Sequence, residues 1–595
     1  MNRHRRTLRS RASLAQAAGV ALVALGVLAA GCSQEIDPPA QGLAVMVRGP
    51  LVDSPFQDPN AAYLALIGEG PDLPATGGPF TIVPYTKGQM QLQIPELPYG
   101  PQRQILVELY PADANGKATY PAIGRGRTPP RDIESRTDTF AVRAYVTRTN
   151  NWSTPVADNG QETLIDARIG VGAAMLADGN VLLAGGGAFK AGATKPFDIQ
   201  SYGSLTDTVF RYDVDRRVLE VLSAAGTKLA VPRTQMATAT GPDGQVVFAG
   251  GVVIGDLGPQ ATGLVEYLNA KEIEVRQSKG AVPHLKFART SHTITRLFDT
   301  QQYYLIAGGV GPDLYPQTTV SIASNTWEIW DPVSGRIAEG SLAKSRWNHA
   351  TVRLPSKDGG YIVLIGGENY DGPIADFEVI RYDNKGNIAF QGNTKVTCYC
   401  GNESITGEDS NAKCAALATQ PNCSTYQWVP LLRSFEPAIG RTLPGAVFVS
   451  SGNSHHIWIA GGFADAAKKQ PLSRVDVFDM NSGTWLPAVP ALEAARGAPI
   501  IAATLAGKEK GRVVVTGGID GSGATVGLAE VLQYQVSVTV SAVQRENASG
   551  TAPGGGRVLG HAIGLRTGHV LLVGGATGDG KGFAAASPMG LYNPR

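Results

Sequence analysis

The sequence predicts an all-β protein, most of which is an array of similar units. Three observations support this prediction. A short apolar run that ends in two glycines occurs seven times, an arginine precedes each doublet by 17 to 21 residues, and the 73 glycines and 38 prolines separate short apolar segments. The doublets begin at Gly185, Gly250, Gly308, Gly366, Gly461, Gly517 and Gly574.

The spacing of the doublets indicates repeated structural units. Successive doublets are 65, 58, 58, 95, 56 and 57 residues apart, and a period in the fifties is typical of an array of equivalent modules. The one long interval contains four closely spaced cysteines. We therefore expect an insertion at about residues 394–428 between two units.

Each unit contains the signals of four strands. An arginine-bearing strand such as "PRTQMATAT" is joined by an Asp-Gly turn to a doublet strand such as "GPDGQVVFAGG". A third segment such as "LVEYLN" alternates polar and apolar residues, and a shorter fourth strand such as "TWLPAV" follows. Four strands per unit of this length predict a propeller blade.

With these motifs in phase, residues 150–595 resemble the kelch-repeat family of β-propellers. The resemblance implies a seven-bladed propeller whose arginine-bearing strands line a central channel. The last unit lacks a fourth strand, which we expect the segment "NNWSTPV" before the first unit to supply. We expect the doublets to be scaffold, because glycine tolerates both close packing and positive φ.

Residues 41–149 lack the repeat but alternate clearly between polar and apolar positions, as in "GLAVMVRG" and "QMQLQIPEL". Six or seven short strands in this length predict a small immunoglobulin-like β-sandwich, although the Cys and Trp hallmarks of immunoglobulin domains are missing.

The first 31 residues have the pattern of a secretory signal, with five arginines followed by an apolar stretch. Residues 29–32, "AAGC", resemble a bacterial lipobox, which implies that Cys32 is lipidated and that residues 32–40 form a tether. Ordinary signal cleavage is the alternative. We expect an exported protein, anchored by lipid at the bacterial cell envelope, either at the outer membrane or at the cell surface. Removing residues 1–31 changes the formal net charge from +2 to −3, which makes nucleic acid an unsuitable partner.

The remaining cysteines, Cys398, Cys400, Cys414 and Cys423, all lie within the expected insertion. In an exported protein this favours two disulfides over a zinc site, because exported thiols oxidise and the spacing contains no paired C-x2-C. The pairing stays open among three possibilities.

The arginine of each unit is the candidate for ligand binding. If the seven side chains converged at one channel mouth they would form a cationic ring for an acidic ligand. The alternative is that each arginine pairs with an acid of its own third strand, which units one and seven lack. The candidates are Arg168, Arg233, Arg289, Arg346, Arg441, Arg496 and Arg557, and the acids are Glu266, Glu328, Glu378, Asp476 and Glu530.

Other patterns favour binding over catalysis. His292, His349 and His561 follow their arginines by three or four residues, and we expect hydrogen-bonded strand residues rather than a metal site there. No catalytic motif is found. The kelch-type copper oxidases need a tyrosine crosslinked to a cysteine in the core, and the four cysteines after Cys32 all lie in the expected insertion, so we do not expect that activity. We therefore expect a monomeric binding or scaffold protein, without cofactor or metal, that recognises an extracellular or periplasmic protein or a glycan. The alternatives are an enzyme resembling the periplasmic kelch sialic-acid epimerases and a purely structural envelope component.

Overall fold

A computed structural model describes most of the chain after residue 42. The described residues are 43–73, 80–89, 91–94, 97, 99–134, 142–163, 165–269, 274–277, 284–311, 322–356, 359–383, 388–391, 397–400, 403–406, 423–424, 439–451, 454–507, 510–536, 541–586 and 588–594. In these residues the structure consists of β-strands and short 3-10 turns, with no α-helix. No membrane-spanning helix is found in this part of the chain. The signal segment, Cys32 and the tether lie outside it.

The N-terminal region contains two sheets around one apolar core. The smaller sheet has Leu43–Arg48 at its centre, antiparallel to Gln91–Ile94 and parallel to Val142–Tyr145. Side chains from both sheets, among them Val47, Leu66 and Val107, are fully or almost fully buried in the shared core. The larger sheet contains Phe80–Pro84, Ala61–Glu69, Gly100–Pro111, Gly124–Arg127 and Thr147–Arg148, with Arg131–Ile133 at its side.

In the rest of the chain the described residues form seven antiparallel sheets of four or five strands, which we call sheets 1 to 7, together with three two-stranded sheets and one three-stranded sheet. In each of the first six, four strands follow one another in chain order. Sheet 1 consists of Gly172–Met175, Val181–Ala184, Val209–Asp213 and Val218–Val221. Sheet 2 consists of Ala237–Thr240, Val246–Ala249, Val265–Asn269 and Glu274–Gln277. Sheet 3 consists of Thr293–Arg296, Tyr304–Ala307, Thr326–Asp331 and Gly335–Ser341. Sheet 4 consists of Ala350–Ser356, Gly359–Ile365, Phe377–Asp383 and Ile388–Gln391. Sheet 5 consists of Gly445–Ser451, Ser454–Ala460, Val475–Asp479 and Thr484–Trp485. Sheet 6 consists of Ile500–Ala503, Val513–Thr516, Glu530–Val536 and Ser541–Asn547.

Sheet 7 joins the two ends of the repeat region. Its strands Val558–Gly564, Val570–Gly578 and Gly590–Asn593 come from the C-terminus, and the fourth strand is Asn151–Ser153, which pairs antiparallel with Gly590–Asn593. This confirms the prediction that the segment before the first unit supplies the missing strand. Phe583–Ala585 also pairs with the long second strand.

The first strands of the seven sheets contact one another in cyclic order, and the first strand of sheet 7 contacts that of sheet 1. The apolar second strands are buried between neighbouring sheets, as Val181, Val246 and Val513 illustrate. An all-β ring of small antiparallel sheets is consistent with a kelch-like β-propeller.

The glycine doublets make the junctions between successive sheets. The amide of the second glycine donates to the carbonyl oxygen of the arginine that begins the next sheet, at 2.7 to 3.0 Å in all seven cases. The last of these bonds runs from Gly575 back to Arg168 at 2.9 Å, so the circle of junctions closes. Both glycines of every doublet have positive φ, between 57° and 99°, a region that side chains with a Cβ avoid. The scaffold role predicted for the doublets agrees with this geometry.

The N-terminal sheets pack on the repeat region at the ends of the strands opposite to the doublets. Gln104 Nε2 donates to the carbonyl of Arg566, in the turn between the first two strands of sheet 7, at 2.8 Å. The guanidinium of Arg217, in the last turn of sheet 1, lies 4.8 Å from the ring centroid of Tyr145. The doublet ends of the strands therefore lie away from the N-terminal sheets.

The expected insertion lies largely outside the described residues, including Cys414. Three short strands are described there: Thr397–Cys400 pairs antiparallel with Glu403–Thr406 and with Cys423–Ser424. In the second pairing Cys400 and Cys423 are direct backbone partners.

Candidate functional site

The seven repeat arginines are buried, with at most 6% of each residue exposed. In six units the guanidinium donates to the carbonyl of the first glycine of its own doublet, at 2.9 to 3.2 Å. Each of these six arginines therefore spans its sheet from the first strand to the end of the second. None of the seven lines the central cavity described below.

Five of the arginines pair with the acid of their own third strand, as the alternative interpretation predicted. The distances between guanidinium nitrogen and carboxylate oxygen are 2.5 to 3.3 Å in Arg233–Glu266, Arg289–Glu328, Arg346–Glu378, Arg441–Asp476 and Arg496–Glu530. In four of these units the carboxylate also accepts the backbone N–H three residues before the arginine, for example Ala230 N to Glu266 Oε1 at 2.8 Å. The pair therefore fixes the approach to the first strand as well as the guanidinium.

The two units without a third-strand acid satisfy their arginines differently. Arg168 pairs at 3.2 Å with Asp166, which is largely exposed, and its guanidinium lies 4.6 Å from the ring centroid of Phe210. Arg557 donates to the carbonyls of Gly574, Pro553 and Pro588. Burial lowers the pKa of Arg557 to about 10, so that it remains a cation at neutral pH.

A cavity of about 680 Å³ lies at the centre of the ring. Its walls are the first strands of all seven sheets and the residues just before them, together with Phe197. Among the described residues that line it there is no aspartate, glutamate, lysine or arginine. The cavity is large enough for a small ligand.

A ring of left-handed residues marks one mouth of this cavity. The residue two positions after each repeat arginine has φ between 50° and 61° in every unit. Five of these residues donate their amide to the carbonyl of the equivalent residue in the preceding sheet, for example Gln235 to Gly170 at 2.8 Å. We call this set the mouth ring: Gly170, Gln235, Ser291, Asn348, Leu443, Ala498 and Leu559. Leucine and alanine are uncommon in this conformation, which at Leu443 and Ala498 is accompanied by these hydrogen bonds.

The two sides of the cavity differ in chemistry. Sheets 2 to 4 contribute every hydroxyl and side-chain amide group of the described lining and two imidazoles, which we call the polar wall: Gln235, Thr238, Ser291, His292, Thr293, Asn348, His349 and Thr351. Apolar residues of the same sheets, Met236, Ala237, Ile294 and Ala350, also line this side. Sheets 5 to 7 contribute aliphatic side chains, which we call the apolar wall: Leu443, Pro444, Ala446, Ala498, Pro499, Ile500, Ile501, Leu559 and Ala562. His561 is the one imidazole on the apolar side among the described lining residues.

The histidines of the cavity are neutral at pH 7. Burial, with a smaller contribution from Arg289, lowers the pKa of His292 to about 3. Burial also holds the pKa of His349 well below its usual value and lowers that of His561. His349 Nε2 lies 3.0 Å from Thr293 Oγ1 of the neighbouring first strand. Of the three histidines only His561 lies within a first strand, as expected, whereas His292 and His349 directly precede the first strands of sheets 3 and 4. In the described part of the chain, no group of three or more His, Cys, Asp or Glu side chains could hold a metal ion.

The loops after the doublets complete the mouth. The in-phase sequence motifs did not predict them, because these loops differ in length and sequence among the units. Phe197 belongs to the long connection after the first doublet, and its ring lies 6.1 Å from that of Phe463, which follows the doublet of sheet 5. Sheets 1 and 5 are separated in the ring by sheets 7 and 6, so Phe197 extends over part of the mouth. Beside Asn348 of the mouth ring, the buried carboxylate of Glu368 accepts hydrogen bonds from Asn348 Nδ2 at 2.7 Å and from Lys468 Nζ at 2.9 Å.

No family model matches this chain, and no curated protein matches it. Solved structures are similar to it at low sequence identity, among them the following two. The structure of YjhT is 15% identical, with a TM-score of 0.38, and the match covers 64% of this chain and 98% of that chain. A fungal alcohol oxidase of the AA5 family, in complex with copper, is 11% identical, with a TM-score of 0.44, and the match covers 74% of this chain and 76% of that one.

Proposed function

We propose that sheets 1 to 7 are the blades of one closed seven-bladed, kelch-type propeller, and that residues 41–149 form an immunoglobulin-like sandwich in front of it. The cyclic contacts of the first strands and the return of the last doublet to Arg168 support the blade count. The two sheets around one core support the sandwich.

We further propose that the protein is an exported, lipid-anchored binding protein whose propeller cavity takes a small neutral glycan. The observation that carries this proposal is the composition of the cavity, whose described lining has hydroxyl, amide and neutral imidazole groups but no ionised side chain. A neutral polar ligand exchanges its bonds to water for bonds to such groups without leaving a buried charge unpaired.

The same observation disfavours an acidic ligand. A carboxylate or phosphate in this cavity would need a cation, and burial of an anion without one is costly. Five of the seven repeat arginines are held by carboxylates of their third strands, Arg168 is paired with Asp166, and Arg557 is held by backbone carbonyls. We therefore place the ligand on the cavity walls and give the arginines a structural role.

The lipid anchor rests on the lipobox-like segment ending in Cys32. Because the N-terminal sheets pack at the ends of the strands opposite to the doublets, an anchor at Cys32 would leave the mouth ring directed away from the membrane. Labelling with radioactive palmitate should modify the wild-type protein and fail to modify Cys32→Ser. Equal labelling of both would contradict the anchor.

The binding proposal is tested by calorimetric titration of a panel of neutral mono- and oligosaccharides and of sialate and uronate. We expect saturable binding of at least one neutral sugar and none of the two acids. The variant Ala562→Trp, which places an indole in the cavity, should abolish that binding. The control Val221→Trp, on an exposed position of an outer strand, should retain it.

Two outcomes would contradict this function. Tight binding of the acidic sugars, lost on substitution of Arg168 or Arg557, would show that these arginines bind the ligand. Conversion of the bound sugar, followed by proton NMR, would establish an enzyme instead, with the imidazoles as the groups able to move a proton.

A further inference from the structure

The division of the cavity into two walls specifies how a ligand would lie in it. This inference rests on the proposed glycan-binding function and adds the shape and orientation of the ligand. The mouth ring has Gln235, Ser291 and Asn348 in three successive sheets and Leu443, Ala498 and Leu559 in the next three. Deeper in the cavity, Thr293 and Thr351 lie on the polar side together with Ile294, and Ile501 lies on the apolar side, so hydroxyl groups remain confined to one side.

Phe197 adds an aromatic surface at the mouth. It is partly exposed, it lines the cavity, and its contact with Phe463 is edge-on, at an interplanar angle of 75°, so a face of one ring remains available. Its neighbours in the same apolar cluster include Leu443, Ala498 and Leu559 of the mouth ring. Phe197 therefore extends the apolar wall toward the outside.

We propose that the ligand is a pyranose ring bound with its hydroxyl-bearing edge on the polar wall and its C–H face on the apolar wall and Phe197. A pyranose has hydroxyl groups around its edge and, when most of them are equatorial, a flat apolar face. An open-chain polyol has the same hydroxyl groups without that face. The apolar wall should therefore discriminate between a ring and an open chain by its contact area.

The test compares a methyl β-glucopyranoside with glucitol on three proteins by titration calorimetry. Wild type should prefer the ring. Phe197→Ala should reduce affinity for the ring about tenfold, which corresponds to about 1.4 kcal/mol, and should change affinity for glucitol little. Phe189→Ala is the matched control, because Phe189 lies in the same connection and packs on Tyr202 but does not line the cavity.

The outcomes separate the two proposals. Binding of the glucoside that is equal in wild type and Phe197→Ala would overturn the orientation and leave glycan binding intact. Equal affinity of wild type for the glucoside and for glucitol would also overturn the orientation and leave glycan binding intact. No binding of any neutral sugar, by a protein whose melting curve is cooperative, would overturn both proposals.

Discussion

At six of the seven glycine doublets, the backbone of one sheet approaches the arginine carbonyl of the next sheet more closely than a side chain allows, and at Gly574 the corresponding distance is 3.2 Å. A Cβ built on Gly517 would lie 2.2 Å from the carbonyl oxygen of Arg557, and one on Gly250 would lie 2.4 Å from that of Arg289. Real Cβ atoms do not approach oxygen so closely, so the doublet is required by contact as well as by φ.

We predict that Gly517→Ala costs far more stability than Gly192→Ala. Both positions have positive φ, 61° and 73°, but a Cβ at Gly192 would have no atom within 4 Å. Gly192→Ala should cost about 1 kcal/mol of unfolding free energy for its backbone conformation. Gly517→Ala adds the clash and should cost roughly 3 kcal/mol or more. Urea denaturation measures both, and equal losses would contradict the contact argument.

The arginine–acid pairs predict a second contrast in stability. Arg496 and Glu530 are both fully buried, so Glu530→Ala leaves an unpaired buried cation and should cost about 3 to 5 kcal/mol. The side chain of Asp166, the partner of Arg168, is 83% exposed, and Asp166→Ala should cost less than about 1 kcal/mol. A small effect of Glu530→Ala in the same denaturation experiment would show that the pair does not hold the sheet.

Among the elements, the strand Asn151–Ser153 is the one that closes the ring. Trp152 is buried and its ring lies 5.2 Å from that of Tyr592 in the neighbouring strand. The amide of Asn150 donates to the carbonyl of Asn593 at 2.6 Å. The strand therefore joins the start of the repeat region to its end through backbone pairing and aromatic contact.

We predict that Trp152→Ala lowers the melting temperature by several degrees, because it removes a large buried ring from the closing sheet. Asn159→Ala, in an exposed turn shortly after the strand, should leave it within about 1 °C, as surface substitutions usually do. Differential scanning calorimetry measures both. An unchanged melt for Trp152→Ala would mean that closure contributes little to stability.

The strands and junctions could be predicted from the sequence because they recur in phase. The doublets, the arginines and the acids of third strands such as Glu328 have the same role in many units. The closing strand could be predicted because the last unit lacks a fourth strand. The mouth could not be predicted in this way, since it is built from residues that differ among units. Phe197 and Phe463 occupy connections of unequal length, and only an in-phase comparison of the second residue after each arginine would have revealed the polar and apolar halves of the mouth ring.

At the scale of the whole molecule, a buried histidine lies where the N-terminal sheets meet the ring. His569 Nε2 lies 3.2 Å from Thr147 Oγ1, and Nδ1 lies 3.2 Å from Thr567 Oγ1. Burial, with smaller contributions from Arg127 and Arg217, lowers the pKa of His569 to about 3. The two regions thus share a junction that favours a neutral imidazole.

This junction predicts a pH dependence of stability. Between about pH 6.5, the usual pKa of histidine, and pH 3, the unfolded chain binds a proton at His569 that the folded protein does not. Stability is therefore fully present above pH 6.5 and falls as pH is lowered, with a limiting slope of about 1.4 kcal/mol per pH unit for each such histidine. His292, with a pKa of about 3, acts in the same direction.

Denaturation at pH 5, 6 and 7 should show this loss, and His569→Gln, which keeps a polar group between the two threonines, should flatten the slope. A slope that is the same in the variant and in wild type would contradict the assignment.

The proposed function requires that the cavity between the first strands, and not the arginine positions, receives the ligand. A crystal structure with the neutral sugar that binds best in the titrations tests it directly. We predict density for the sugar between Ser291 and Ile501, with Arg233 and Arg496 still paired to Glu266 and Glu530. Sugar density against a guanidinium group that has left its carboxylate, or on the outer strands with the cavity empty, would contradict ligand binding in the cavity.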